Sequence, residues 1–239
     1  MVRLRSILYY LLMTGATVIF TTLGIIFLPF NFPFRFKVMS GWSVFNLWTL
    51  KTICGLDSRI EGLENIPQGP AIIMCKHQSA WETLALQIYF PPQVWILKRE
   101  LLWIPIYGWG LASMKPIAID RSSGMRALKY IATQGKQRLE RGLWVVIFPE
   151  GTRTAPGKRL KYQPGGGLLA EKSGYPVVPV THNAGYFWPR NSLDKKPGTI
   201  TMKIGPIIDP AGKSAKEITT EVEDWIENTS STLPTPNFN

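Results

Sequence analysis

From Ile7 to Leu28 the chain carries no charged residue across 22 positions, and this stretch limits what the rest can fold into. As a helix rising about 1.5 Å per residue it runs roughly 33 Å, enough for a hydrocarbon core of about 30 Å. A membrane segment is therefore expected. Arg3 and Arg5 precede it as in a signal-peptide n-region, but the run is too long and no small-residue cleavage pattern follows, which favours a retained anchor. Arg35 and Lys37 lie on its other side, so the positive-inside rule gives no strong asymmetry, and both flanks facing the cytoplasm is compatible with the pattern. Pro29 and Pro33 are read as helix breakers. Val38 to Cys54 then forms a second, mostly apolar helix whose Trp42 and Trp48 suit a lipid interface. A full span and a two-helix hairpin dipping into one leaflet both stay open, as does a buried hairpin in a soluble core.

Beyond the anchor, 239 residues with 45% hydrophobic content give a sizeable core and exclude general disorder. The net charge of +11 is unevenly placed: residues 98–161 hold thirteen Lys and Arg against Glu100, Asp120, Glu140 and Glu150. Such a surface attracts anionic head groups, phosphorylated substrates or an acidic protein. Nucleic acid is not expected, because an apolar anchor precedes the patch and no recognition motif accompanies it. Cys54 and Cys75 sit in apolar surroundings and read as buried free thiols of a reducing compartment. With no CxxC or HExxH spacing, and His182 far from His77, no metal is expected.

After Gly55, short apolar runs alternate with helical stretches. Strands are predicted at Ser58–Ile60, Ala71–Cys75, Val94–Leu97, Pro116–Ile119, Leu143–Phe148, Val177–Val180 and Thr199–Ile204, and helices at Ala80–Phe90, Gly124–Arg141, Leu168–Ser173 and Ala215–Asn228. The alternation implies an α/β fold, a largely parallel sheet covered by helices on both faces. The expected organisation is membrane-anchoring helices over residues 1–56, a catalytic domain over 57–229 and a loose, proline-containing tail over 230–239.

Four blocks carry the chemistry. In Lys76-His77-Gln78-Ser79-Ala80-Trp81-Glu82 a histidine and a carboxylate flank a strand-to-helix turn, where open α/β sheets place their sites. A neutral imidazole accepts a proton near pH 7, and a carboxylate on its other nitrogen fixes the tautomer. Ser79-x-x-Glu82 equally fits a capping box, in which Glu82 only holds a backbone N–H. In Phe148-Pro149-Glu150-Gly151-Thr152-Arg153, Gly151 permits close backbone approach and Arg153 offers a planar fork for phosphate. Thr152 adds a hydroxyl there, and Glu150 an acceptor for a polyol. Lys98 and Arg121 each follow a predicted strand, on the same edge as His77 and Arg153 if the strands are parallel; converging cations there make a phosphate pocket. The fourth block, Val177-Val178-Pro179-Val180, reads as a wall for a greasy chain or as a plain buried strand.

These blocks, in this order over roughly residues 40–205, resemble the glycerophospholipid acyltransferase family, most closely its bacterial 1-acyl-sn-glycerol-3-phosphate acyltransferases. His77 and Glu82 match H-x4-D/E, with Glu in place of the commoner Asp. Ile117 to Arg121, Phe148 to Arg153 and Val177 to Val180 match the following three. The resemblance implies an acyltransferase fold with a membrane-embedded helical motif, at the inner membrane with its catalytic domain facing the cytoplasm. It implies acyl transfer from acyl-CoA or acyl carrier protein, as co-substrates rather than cofactors, to lysophosphatidic acid. His77 and Glu82 would be catalytic; Lys98, Arg121, Glu150, Gly151, Thr152 and Arg153 would bind substrate. Another acceptor, such as lyso-ornithine lipid, or a non-catalytic membrane adaptor are the competing functions; a lipid hydrolase is disfavoured by the lack of a G-x-S-x-G elbow.

Overall fold

The computed structural model describes residues 1–238. Seven strands form one sheet: β1 (Leu56–Glu61), β2 (Ile72–Cys75), β3 (Gln93–Lys98), β4 (Ile117–Ile119), β5 (Trp144–Ile147), β6 (Val177–His182) and β7 (Gly198–Ile204). Their order is β1-β7-β6-β2-β5-β3-β4. Every neighbouring pair is parallel except β6 with β7. Five strands, from β6 across to β4, therefore end on the same edge, with β2 in their interior.

Alternation along β2 sorts the core into two layers. Ile73 and Cys75 pack beneath Trp81, Leu84 and Ala85 of α3 (Trp81–Tyr89), together with Leu50 and Cys54 of the N-terminal helices. Ile72 and Met74 face the opposite layer. There they meet side chains of α5 (Met125–Glu140), α6 (Gly165–Ser173) and α8 (Ala215–Thr232), among them Ile131, Leu169 and Val222. Two short helices, α4 (Tyr107–Ser113) and α7 (Ala184–Phe187), complete the chain.

The N-terminal region is a helical hairpin, α1 (Val2–Ile26) and α2 (Phe32–Cys54). Its pattern is inside out. Ser6, Tyr9, Ala16, Thr21 and Gly24 of α1 are buried, whereas Leu4, Leu8, Leu11, Val18, Ile19, Ile25 and Ile26 are exposed. Small and polar residues inward with branched aliphatics outward is the arrangement suited to lipid, not to a soluble core. α1 is long and apolar enough to cross a membrane, and its exposed face marks membrane association. The turn between the helices is closed by Arg35, which is buried and donates from Nη1 to the carbonyls of Leu28 (3.1 Å) and Phe30 (3.2 Å). Non-helical backbone next to hydrocarbon needs such internal partners.

Two expectations are corrected. Pro33 does not exclude a helix: α2 begins at Phe32, with proline in the first turn, where no N–H is needed, and Asn31 capping the Phe34 N–H at 3.0 Å. Nor is the C-terminal segment loose: α8 continues to Thr232, Leu233 is buried, the Pro234 carbonyl accepts from Asn183 at 2.9 Å, and Phe238 packs edge-on against Phe187. Asn239 lies outside the described residues.

Candidate active site

β2 ends at Cys75, and the chain turns at once through Lys76, His77, Gln78 and Ser79 into α3. The Glu82 carboxylate, in the first turn of that helix and fully buried, reaches back over the loop. Oε1 accepts from His77 Nδ1 (2.7 Å), from the Gln78 N–H (3.0 Å) and from the Ser79 N–H (2.9 Å). Of the two alternatives in the sequence, the carboxylate makes the dyad and also holds the loop N–H groups, but the reciprocal capping box does not form: Ala80 is the N-cap, and the Ser79 hydroxyl accepts from the Trp81 N–H and donates to the Trp188 carbonyl. Burial by itself would raise the Glu82 carboxyl, but the facing His182 and His77 rings and the Ser79 N–H outweigh it and hold the group below its ordinary value. Glu82 stays ionised, His77 carries its proton on Nδ1, and the edge bearing Nε2 is left to accept one. The ring stacks on Phe148, centroids 3.9 Å apart and planes 12° from parallel, which fixes its plane.

His182, at the end of β6, lies beneath this pair and was not expected there. Its Nδ1 accepts the Ala184 N–H (3.2 Å), so the proton resides on Nε2, facing the Lys76 carbonyl at 2.9 Å and Glu82 Oε2 at 3.5 Å. Burial lowers its pKa from 6.5, keeping it neutral. The signal was present in the sequence: β6 is a predicted strand parallel to β2, and its end falls on the same edge.

The loop after β5 clasps His77 by its backbone. Glu150 Oε2 accepts the His77 N–H (2.6 Å), and the Thr154 N–H donates to the His77 carbonyl (2.7 Å). Glu150 Oε1 lies 3.2 Å from the ammonium of Lys76, whose Nζ is also 2.6 Å from Glu227 Oε1. The Glu150 carboxylate is accordingly turned inward, away from any ligand, because a buried cation and a backbone donor draw it there.

A cavity of about 190 Å³ opens beside the His77 ring, and Lys98, Arg121 and Arg153 line it with Phe148. Four of the expected residues therefore meet. Glu82 joins them through His77, while Glu150, Gly151 and Thr152 do not line the cavity. Gly151 makes the turn, at φ +69°, and the Thr152 hydroxyl accepts from Arg190 at 3.2 Å. Sequence reasoning missed the far wall. Thr17, Phe20 and Thr21 of α1, Met39 and Trp42 of α2, Leu111 of α4 and Met114 just after it extend the cavity as an apolar channel. The site thus has a cationic end, an imidazole and an apolar end made partly by the anchor. Among the described residues no cluster of His, Cys, Asp and Glu suits a metal.

Residues 57–183 match the acyltransferase family model. A 1-acyl-sn-glycerol-3-phosphate acyltransferase of Pseudomonas aeruginosa is 43% identical over 232 residues, covering 95% of this chain and 90% of the relative. The enzyme of that name from Cocos nucifera is 30% identical over 199 residues, covering 81% of this chain and 63% of its own length. In fold, the chain is similar to the crystal structure of a 1-acyl-sn-glycerophosphate acyltransferase from Thermotoga maritima, with TM-score 0.81, 24% identity, and coverage of 98% and 97% of the two chains.

Proposed function

Because the chain belongs to the acyltransferase family, we propose that it transfers an acyl chain from a thioester donor to the 2-hydroxyl of 1-acyl-glycerol 3-phosphate, giving phosphatidic acid for phospholipid synthesis. The observation that carries this reading is the cavity that joins the His77 ring to three cations at one end and an apolar channel at the other. A lysophosphatidate has just these parts: a phosphate, a free hydroxyl beside it and a hydrocarbon tail. An adaptor that only docked on lipid would have no use for an oriented imidazole facing a cavity.

In this mechanism Nε2 of His77 removes the proton of the 2-hydroxyl as that oxygen attacks the thioester carbonyl. The tetrahedral adduct collapses with loss of the thiolate, which takes the proton back from the imidazolium. Glu82 keeps the ring in the required tautomer and stabilises its charged form. Lys98, Arg121 and Arg153 hold the phosphate, Arg153 by a planar fork suited to two oxygens. Glu150, Gly151 and Thr152 act at one remove, shaping the loop that grips the His77 backbone. The donor is acyl-CoA or acyl carrier protein, and no cofactor is required.

The hairpin lies in one leaflet, with the catalytic domain on the cytoplasmic face of the inner membrane. Supporting this, even the C-terminal half of α1 packs along the catalytic domain: Thr21 donates to the Ile106 carbonyl at 3.2 Å, and Gly24 sits against Ser113. Two buried free thiols suit a reducing compartment.

The test is an acceptor panel with Arg153→Met. Charge-assisted hydrogen bonds are worth about 1.5–3 kcal/mol, so kcat/KM for lysophosphatidate is expected to fall roughly ten- to a hundredfold. Transfer to a lysolipid without a phosphate monoester should change little. Equal losses on both acceptors would remove the phosphate assignment.

His182 is a positioning residue, and its readout is stability against pH. Its folded pKa is lowered, so as pH falls the unfolded chain takes the proton first; stability, complete above about 6.5, declines below it. Melting temperature measured from pH 7 to 5 is expected to drop less steeply in His182→Gln than in the wild type, with kcat reduced and KM unchanged. Identical slopes would show that His182 does not remain neutral in the fold.

A further inference from the structure

Between Glu100 and Lys115 the chain carries no charge over 14 positions, Leu101 to Met114, and much of that segment faces outward. Trp103 is 68% exposed and Trp109 55%, with Ile104 and Ile106 between them also exposed. No core explains them. The backbone presents them at a cost. Ile106 has φ 66° and ψ −65°, and the Tyr107 N–H bonds the Pro105 carbonyl at 2.7 Å, which makes a γ-turn of the rare, strained kind, here on a β-branched residue. Such a conformation persists only where surroundings over-determine it. The anchor supplies that constraint: Thr21 of α1 donates to the Ile106 carbonyl at 3.2 Å, and Gly110 approaches Thr21 so closely that a Cβ would stand 2.6 Å from its hydroxyl oxygen.

We propose that Trp103–Trp109 is a third bilayer-contacting element, a wedge that enters the anionic lipid interface beside α1 and sets the cavity mouth at the boundary of head groups and acyl chains. Three observations select lipid as the occupant. The wedge is hydrogen-bonded through Thr21 to α1, the helix that carries the exposed aliphatics Val18, Ile19, Ile25 and Ile26. Tyr107 within it, and Leu101, Gly110 and Leu111 immediately flanking it, line the cavity, so the surface that would meet lipid backs onto the substrate channel. Its flanks carry a net positive charge, Lys98, Arg99 and Lys115 against Glu100, with Arg99 placed over the Trp103 ring at 5.9 Å and also paired with Asp120. Aromatic rings with cations above them are the composition of an interfacial anchor. An acidic carrier protein would call for cations within the exposed patch, and the 14 positions hold none.

The proposal rests on the membrane reading above, and its test separates the two. Trp103→Cys is labelled with an environment-sensitive fluorophore, the native thiols being buried. The full chain is mixed with vesicles of phosphatidylcholine and phosphatidylglycerol. A control label at Lys216→Cys, on α8, reports the opposite layer of the sheet. The label at position 103 is expected to shift to the blue and to be quenched by lipids brominated high in the acyl chain, while the control stays as in water. In an unlabelled Trp103→Asp, Trp109→Asp double variant, vesicle binding should fall at least about tenfold, since each indole carries on the order of 200 Å² of surface. Co-sedimentation with an unshifted label at position 103 would overturn the wedge and leave the hairpin as the membrane contact. A shift produced by acyl carrier protein but not by vesicles would overturn it in favour of a protein partner. Failure to co-sediment at all would instead remove the membrane reading beneath it.

Discussion

Replacing His77 with alanine is expected to lower kcat for acyl transfer about a hundred- to ten-thousandfold, the usual contribution of a positioned general base, with membrane binding and fold retained. The fold should survive because what the loop needs from this residue is its backbone: the N–H bound to Glu150 and the carbonyl bound to the Thr154 N–H remain. What is lost is the ring between Glu82 and the cavity. Residual activity is expected, since a thioester is already activated and the cations and channel still bring the substrates together. KM for lysophosphatidate should change little under the proposal that Lys98, Arg121 and Arg153 hold its phosphate end. Near-wild-type turnover would end the general-base assignment. Glu82→Gln removes more than the charge. Oε1 accepts three N–H groups, and Oε2 faces the Ser79 N–H at 3.1 Å and His182 Nε2 at 3.5 Å, so an amide must set its own NH2 against donors whichever way it turns. That variant should lose both stability and activity.

The strands were legible because each is a short apolar run between turn residues, and the parallel order followed from the helices between them; all seven fall within about two residues of their predicted ends. The candidate site was legible in part. Lys98, Arg121 and Arg153 each follow a strand, and parallel strands deliver their ends to one edge. Two things escaped. One is α4, absent from the predicted helices; its segment holds Pro105, Gly108 and Gly110, and Gly110 lets α1 come close. The other is the direction of Glu150. Its position in the block suggested a polyol contact, but a side chain next to a strand end can face either the ligand or the core. The choice was made by Lys76, a lysine that composition places at the surface and the fold buries at 2% exposure.

Lys76→Met is for that reason expected to cost about 3–5 kcal/mol of stability, the range for removing one partner from a buried ion pair, or on the order of 10 °C in melting temperature. The ammonium serves two carboxylates, Glu227 at 2.6 Å and Glu150 at 3.2 Å, and the Glu227 oxygen also accepts the Tyr162 hydroxyl at 2.9 Å. Without the cation, the wholly buried Glu150 side chain is left with its charge uncompensated. The damage should be relieved in two ways. A Lys76→Met, Glu150→Gln double variant should recover part of the loss, since a neutral amide needs no counter-charge; additive losses would show the pair to be uncoupled. Lowering the pH should narrow the gap to wild type. Burial already raises the Glu150 carboxyl despite Lys76, and losing Lys76 raises it further. A group whose folded pKa is raised binds protons preferentially in the fold, so its penalty is lifted as pH falls through the folded value and is full above it. A gap that failed to narrow in acid would show that Glu150 is not the group left uncompensated. Activity adds the functional link: Glu150 that is drawn off the His77 N–H by protonation or rearrangement frees the loop that aims the imidazole, so kcat in Lys76→Met should fall even at temperatures where the chain is fully folded.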